Sequence, residues 1–167
     1  MLPDGLRHHR IMNRKRKPME TSVSEHGACP YSSAAEIETF IRAFEECTLP
    51  RKDWSHAAHL TLALWYLLRR TEADATSCIR KGILSYNSAN GIKTTRDSGY
   101  HETVTLFWIK LVSSYLSRVT EGSLVQLANG VIRAFGNKEL PFEYYSRELL
   151  LSLEARMRWV EPDLKPI

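Results

Sequence analysis

Apolar residues recur three or four positions apart along most of the chain, and no stretch alternates apolar and polar residues long enough to predict a strand. The first periodic segment is "SSAAEIETFIRAFEECTLP". Ser33 and Glu36 form a capping-box pair, Ile37, Phe40, Ile41 and Phe44 follow at helical spacing, and Leu49-Pro50 stops or redirects the helix. A second helix is predicted from about Asp53 to Arg70. Its run "LTLALWYLL" is apolar on every side and reads as a buried helix, about half the roughly 20 residues needed to span a bilayer. A third, from about Glu72 to Ser88, carries Ala75, Cys78, Ile79, Gly82, Ile83 and Tyr86 on one stripe and ends at Asn90-Gly91, a helix C-terminal signal.

After the polar loop "IKTTRDSG", a fourth helix is predicted from about Tyr100 to Arg118, with Val104, Trp108, Leu111, Tyr115 and Leu116 facing inward. Gly122-Ser123 opens a fifth, which runs to about Phe135. Two short helices complete the chain: Phe142 to Leu151, led by Pro141, and Leu153 to Trp159, capped by Ser152. The predicted fold class is all-α: a single-domain bundle of about five main helices plus short C-terminal helices, covering residues 33–167. Residues 1–32 lack apolar periodicity and are predicted to be a disordered basic N-terminal tail.

Charge changes the picture only in that tail. Residues 1–32 hold six Lys/Arg against three Asp/Glu, while residues 33–167 hold seventeen against sixteen. The predicted bundle is nearly neutral, and no basic helix face carries interleaved aromatics, so nucleic acid is disfavoured as a partner. The three cysteines, Cys29, Cys47 and Cys78, are widely spaced and odd in number, which argues against a disulfide framework or a cysteine zinc site. A reducing cytoplasm is the expected location, with no membrane partner. Phosphate-binding glycine loops and the G-x-S-x-G elbow are absent.

Candidate chemistry concentrates in "WSHAAHL" and "GYHETVT". His56 and His59, three residues apart, lie about 60° apart around a helix and can point at one spot. His101 stands on the stripe of Val104, Thr105 and Trp108, near the positive end of its helix, which favours the neutral ring. Three inward imidazoles from two helices could hold a divalent transition metal, zinc or iron, with an open position for catalysis. Without a metal, His101 and Glu102 could act as general acid and base. Asn87, Tyr100 and Arg147 are candidate substrate-binding residues, and no residues are assigned to an organic cofactor. Each element has a structural alternative. Glu102 could cap its own helix, His56 could bond free N–H groups of a first turn, His59 could donate to a backbone carbonyl, and Arg147 could pair with Glu143.

The segments "LPRKDWSHAAHLTLALWYL", "IRKGILSYNSANG", "GYHETVTLFWI" and "RWVEPDLKP" resemble a group of short, bacterial-type all-helical proteins with no assigned activity. The resemblance spans most of residues 37–165 and implies that His56, His59, Asn87, Tyr100, His101 and Glu102 belong to the group's pattern. It brings no mechanism. The expected function is a histidine-lined pocket between helices, with a metal-assisted reaction on a small polar molecule. The alternative is a non-catalytic ligand-binding or protein-interaction module with structural histidines.

Overall fold

The computed structural model describes residues 30–119 and 121–167. Those residues form seven α-helices, two 3₁₀ turns and no strand. The five main helices are α1 (Ala34–Glu45), α2 (His56–Leu67), α3 (Glu72–Ala89), α4 (Glu102–Leu116) and α5 (Leu124–Phe135). Two short ones follow, α6 (Arg147–Leu150) and α7 (Leu153–Met157). The architecture is the all-α bundle that the 3.6-residue periodicity predicts.

Helix α2 is the axis of the bundle and packs against α3, α4 and α5. Its sequence dictates that place: Ala58, Leu60, Leu62, Ala63, Leu64 and Tyr66 are all buried, and they occupy every side of the helix. The outer helices bury one stripe each, such as Ile37, Ile41 and Phe44 on α1 and Leu127, Ala128 and Val131 on α5. Serine and threonine side chains cap α1, α2, α3, α5, α6 and α7, each accepting a first-turn N–H.

Several boundaries differ from the sequence expectation. Helix α1 stops at Glu45, ahead of Pro50, because Cys47 adopts φ 57°. Its N–H bonds Phe44 O at 2.9 Å and the Thr48 N–H bonds Ala43 O at 2.8 Å, a Schellman closure made without glycine. Helix α2 starts at His56 rather than Asp53, since Arg51–Asp53 form a 3₁₀ turn and Ser55 supplies the cap. Likewise, the helix expected from Phe142 to Leu151 is a 3₁₀ turn, Leu140–Glu143, followed by α6.

Of the basic tail predicted over residues 1–32, residues 1–29 lie outside the described residues. Tyr31 belongs to the fold: its N–H and C=O pair with the side-chain amide of Asn129 on α5, at 3.2 and 2.8 Å. At the other end, α7 packs on α4, and Thr103 of α4 donates to Arg158 O at 2.7 Å and accepts from Val160 N–H. No helix among the described residues is long and apolar enough to cross a membrane.

Candidate functional site

A cavity of about 440 Å³ opens among α2, α3 and α4, within the range of small-molecule pockets. Its walls are mainly apolar: Trp54, Ile79, Ile83, Val104, Trp108 and Ile109. His56, His59 and His101 all line it, as do Asn87, Tyr100 and Thr105, and Lys138 is at its exposed edge. No carboxylate is among its lining residues.

Backbone hydrogen bonds fix the tautomer of each imidazole, because a carbonyl oxygen only accepts. His56 Nε2–H donates to Phe135 O at 2.8 Å, which leaves Nδ1 bare. His59 Nδ1–H donates to Ser55 O at 2.7 Å, which leaves Nε2 bare. This realises the carbonyl-bonded alternative for His59. His101 is different. It is the N-cap of α4, with Nδ1 accepting from Val104 N–H at 3.3 Å while Nε2–H donates to Leu150 O at 2.9 Å. Both of its nitrogens are occupied, so its lone pair serves the helix end.

Aromatic packing holds the two rings that keep a bare nitrogen. His59 lies on Trp54 with ring centroids 3.9 Å apart, and Trp54 stacks in turn on Phe44 at 4.8 Å. His56 packs against Trp108 at 4.5 Å. Burial depresses all three histidines and outweighs the backbone bonds that favour their protonated forms. His59 falls to about 4, and the charges of Lys138 and Arg156 add to the depression of His56 and His101 respectively. All three are neutral at pH 7.

Glu102 and Arg147, both expected at the site, do not line the cavity. The Glu102 carboxylate is buried in a fork: Arg80 Nε donates to Oε2 at 3.0 Å, Arg80 Nη2 pairs with Oε1, and the Tyr100 hydroxyl donates to Oε2 at 2.6 Å. Burial alone would raise its pKa, but the Arg80 and Tyr100 hydrogen bonds hold it below the usual carboxylate range. All the polar contacts of this carboxylate face away from a proton-transfer role and toward holding Tyr100 in the cavity wall. Arg147 stacks over Phe142 at 4.5 Å, in a surface groove with Arg96, while Glu143 pairs with Lys165 rather than with Arg147.

Among the described residues, no three His, Cys, Asp or Glu side chains are grouped as a metal ion requires. Periodicity singled out neither Trp54 nor Lys138 as site residues. Trp54 precedes α2 as a turn residue, and Lys138 follows α5 in a break, so neither lies on a periodic stripe. The signal for Trp54 was its adjacency to "SHAAH"; Lys138 had none. Buried Arg156 supports the loop that forms the cavity's rim, donating to Ser98 O at 3.2 Å and Tyr100 O at 3.1 Å. Gly99 in that loop has φ +81°, and a Cβ there would lie 2.7 Å from Lys93 O, so only glycine fits. No family model, curated protein or solved structure matches the chain.

Proposed function

We propose that the chain binds a small, flat, uncharged molecule in this cavity and accepts a proton from it, with His56 as the general base. The observation that carries the reading is the pair of neutral imidazoles, each with one bare nitrogen, in a cavity walled by indole and aliphatic groups. His56 is the better base of the two. The Phe135 carbonyl orients it and favours its protonated form, whereas a ring held at about 4 retains a proton poorly near neutrality. His59 then serves as an acceptor that orients the ligand. His101, Glu102 and Arg80 act as positioning residues for the rim and for Tyr100. The unpaired Cys47 and Cys78 go with a reducing, cytoplasmic setting.

A binding role without chemistry is the second reading, and the strongly depressed His59 favours it. One probe separates the two. The base-promoted ring opening of 5-nitrobenzisoxazole needs only proton removal from carbon, with cleavage of the N–O bond to a cyanophenolate. General-base catalysis contributes about 10²–10⁴-fold where a base is well placed. The expected result is a rate per chain at least tenfold above that of free imidazole at equal concentration, abolished by His56→Gln and reduced by His59→Gln. Probe binding without turnover would favour the second reading, and no binding would dismiss both. One equivalent of zinc on the purified chain, lost in the His56→Gln/His59→Gln double variant, would move the reading to metal-assisted chemistry.

A further inference from the structure

Asn87 is only 6% exposed and lines the cavity, yet its side-chain amide makes no hydrogen bond among the described residues. The backbone does not need that side chain. The Asn87 carbonyl accepts from Ile92 N–H at 2.8 Å, closing the α3 terminus with Gly91 at φ +66°, and Asn90 supplies the local side-chain bond to Tyr86 O. The Asn87 amide atoms are not sealed from solvent as Arg156 Nε is, so they open onto the cavity and are free to bond whatever fills it. The Asn87 amide is therefore placed for something that enters the cavity.

The rest of the lining narrows what that is. His56 Nδ1 and His59 Nε2 offer acceptors only. The Tyr100 hydroxyl already donates to Glu102. No carboxylate faces the cavity to pair a cation, and Lys138 is the sole cation in its lining. The missing partner is a molecule rich in N–H donors, uncharged and flat enough for walls made by Trp54 and Trp108. A carboxamide pairs two-pronged with a ring edge that presents N–H beside C=O: its oxygen accepts the N–H and its NH₂ donates to the carbonyl. Trp54 bridges the two ends of this arrangement, lying 3.9 Å from His59 and 5.2 Å from Tyr86, the neighbour of Asn87.

Resting on the pocket reading above, we propose that the ligand is a cyclic-amide nitrogen heterocycle of the nucleobase type. Asn87 pairs with its amide edge, and the bare nitrogen of His56 or His59 accepts a remaining N–H. A site built around such bonds rejects an analogue that lacks them, because its own polar groups are left unpaired. The test is calorimetric titration of the full chain with uracil and 1,3-dimethyluracil, beside the 5-nitrobenzisoxazole assay described above. Uracil is expected to bind at millimolar concentration or below, and 1,3-dimethyluracil, which lacks both N–H groups, at least tenfold more weakly. Asn87→Leu should weaken uracil at least tenfold. Should that variant not fold by circular dichroism, Asn87→Asp keeps the shape, removes the NH₂ and is expected to do the same. No uracil binding, equal binding of the dimethyl analogue, or indifference to residue 87 overturns the ligand class. Turnover of 5-nitrobenzisoxazole that is lost in His56→Gln would then leave the pocket standing, whereas no probe sensitive to His56 or His59 would remove the pocket reading itself.

Discussion

An imidazole bonded to a carbonyl has one nitrogen committed, and whether the other is free decides what the residue can do. Sequence spacing placed His56, His59 and His101 on inward faces, and all three do line one cavity. It could not distinguish them, because the partners are carbonyls of Phe135, Ser55 and Leu150, two of which come from distant elements. The role of His101 as the cap of α4 was hidden for a further reason, since histidine is an uncommon cap and "GYHET" reads equally well with the helix starting earlier. The three rings also make stability depend on pH. Each folded pKa lies below the ordinary histidine value of 6.5, so the unfolded chain binds more protons between the two values. Stability is therefore complete above about pH 6.5 and falls as pH drops from there toward about 4, the folded value of His59. Glu102 acts in the same direction at lower pH, because its depressed carboxyl stabilises the fold only while ionised. Urea midpoints measured from pH 7.5 to 4.5 should decline through this window, and a His59→Gln chain should decline less. A flat profile would mean that the histidines are solvated.

At the scale of the element, the helices were legible where the pattern was long. Helix α2 was readable as buried because it is apolar all round, and the α3 terminus because Asn90-Gly91 is a strong stop. The α1 terminus was not, since Cys47 takes a left-handed conformation with no glycine to mark it. Helix α3 carries a further constraint at Gly82. In an open helix interior, alanine would be favoured over glycine by about 1 kcal/mol. Here a Cβ would lie 2.8 Å from Phe44 Cε1, and Phe44 is 1% exposed and packed in a cluster with Trp54 and Tyr86. The ring cannot swing away without moving Trp54, the cavity wall. Gly82→Ala is therefore expected to destabilise by roughly 1–3 kcal/mol, the usual cost of overpacking, and to alter tryptophan fluorescence. Denaturant unfolding reads the sign, and a gain in stability would show that α1 and α3 have room between them.

Across the whole molecule, the bundle is closed by contacts far apart in sequence: Tyr31 on Asn129, Thr103 on Arg158, and Tyr145 on Val160. None was readable from local pattern, because each is a single polar side chain bonded to irregular backbone. They set how much of the chain the fold needs. A chain beginning at Pro30 should melt within a few degrees of the full sequence, since residues 1–29 carry no periodic apolar positions to bury. A chain beginning at Ser33 leaves the buried Asn129 amide without Tyr31 and should lose about 1–3 kcal/mol, read by the same melts. The account as a whole depends on the cavity presenting bare nitrogens on His56 and His59 and none on His101. Long-range ¹H–¹⁵N correlation spectra of the ¹⁵N-labelled chain at pH 7 report the tautomer and charge of every ring directly. Of the six rings, the expected spectrum shows these three neutral in a fixed tautomer, with the proton on Nε2 of His56, on Nδ1 of His59 and on Nε2 of His101. Imidazolium signals from His56 or His59, or rapid exchange between their tautomers, would contradict the account, because neither ring would then hold a fixed bare nitrogen toward a ligand.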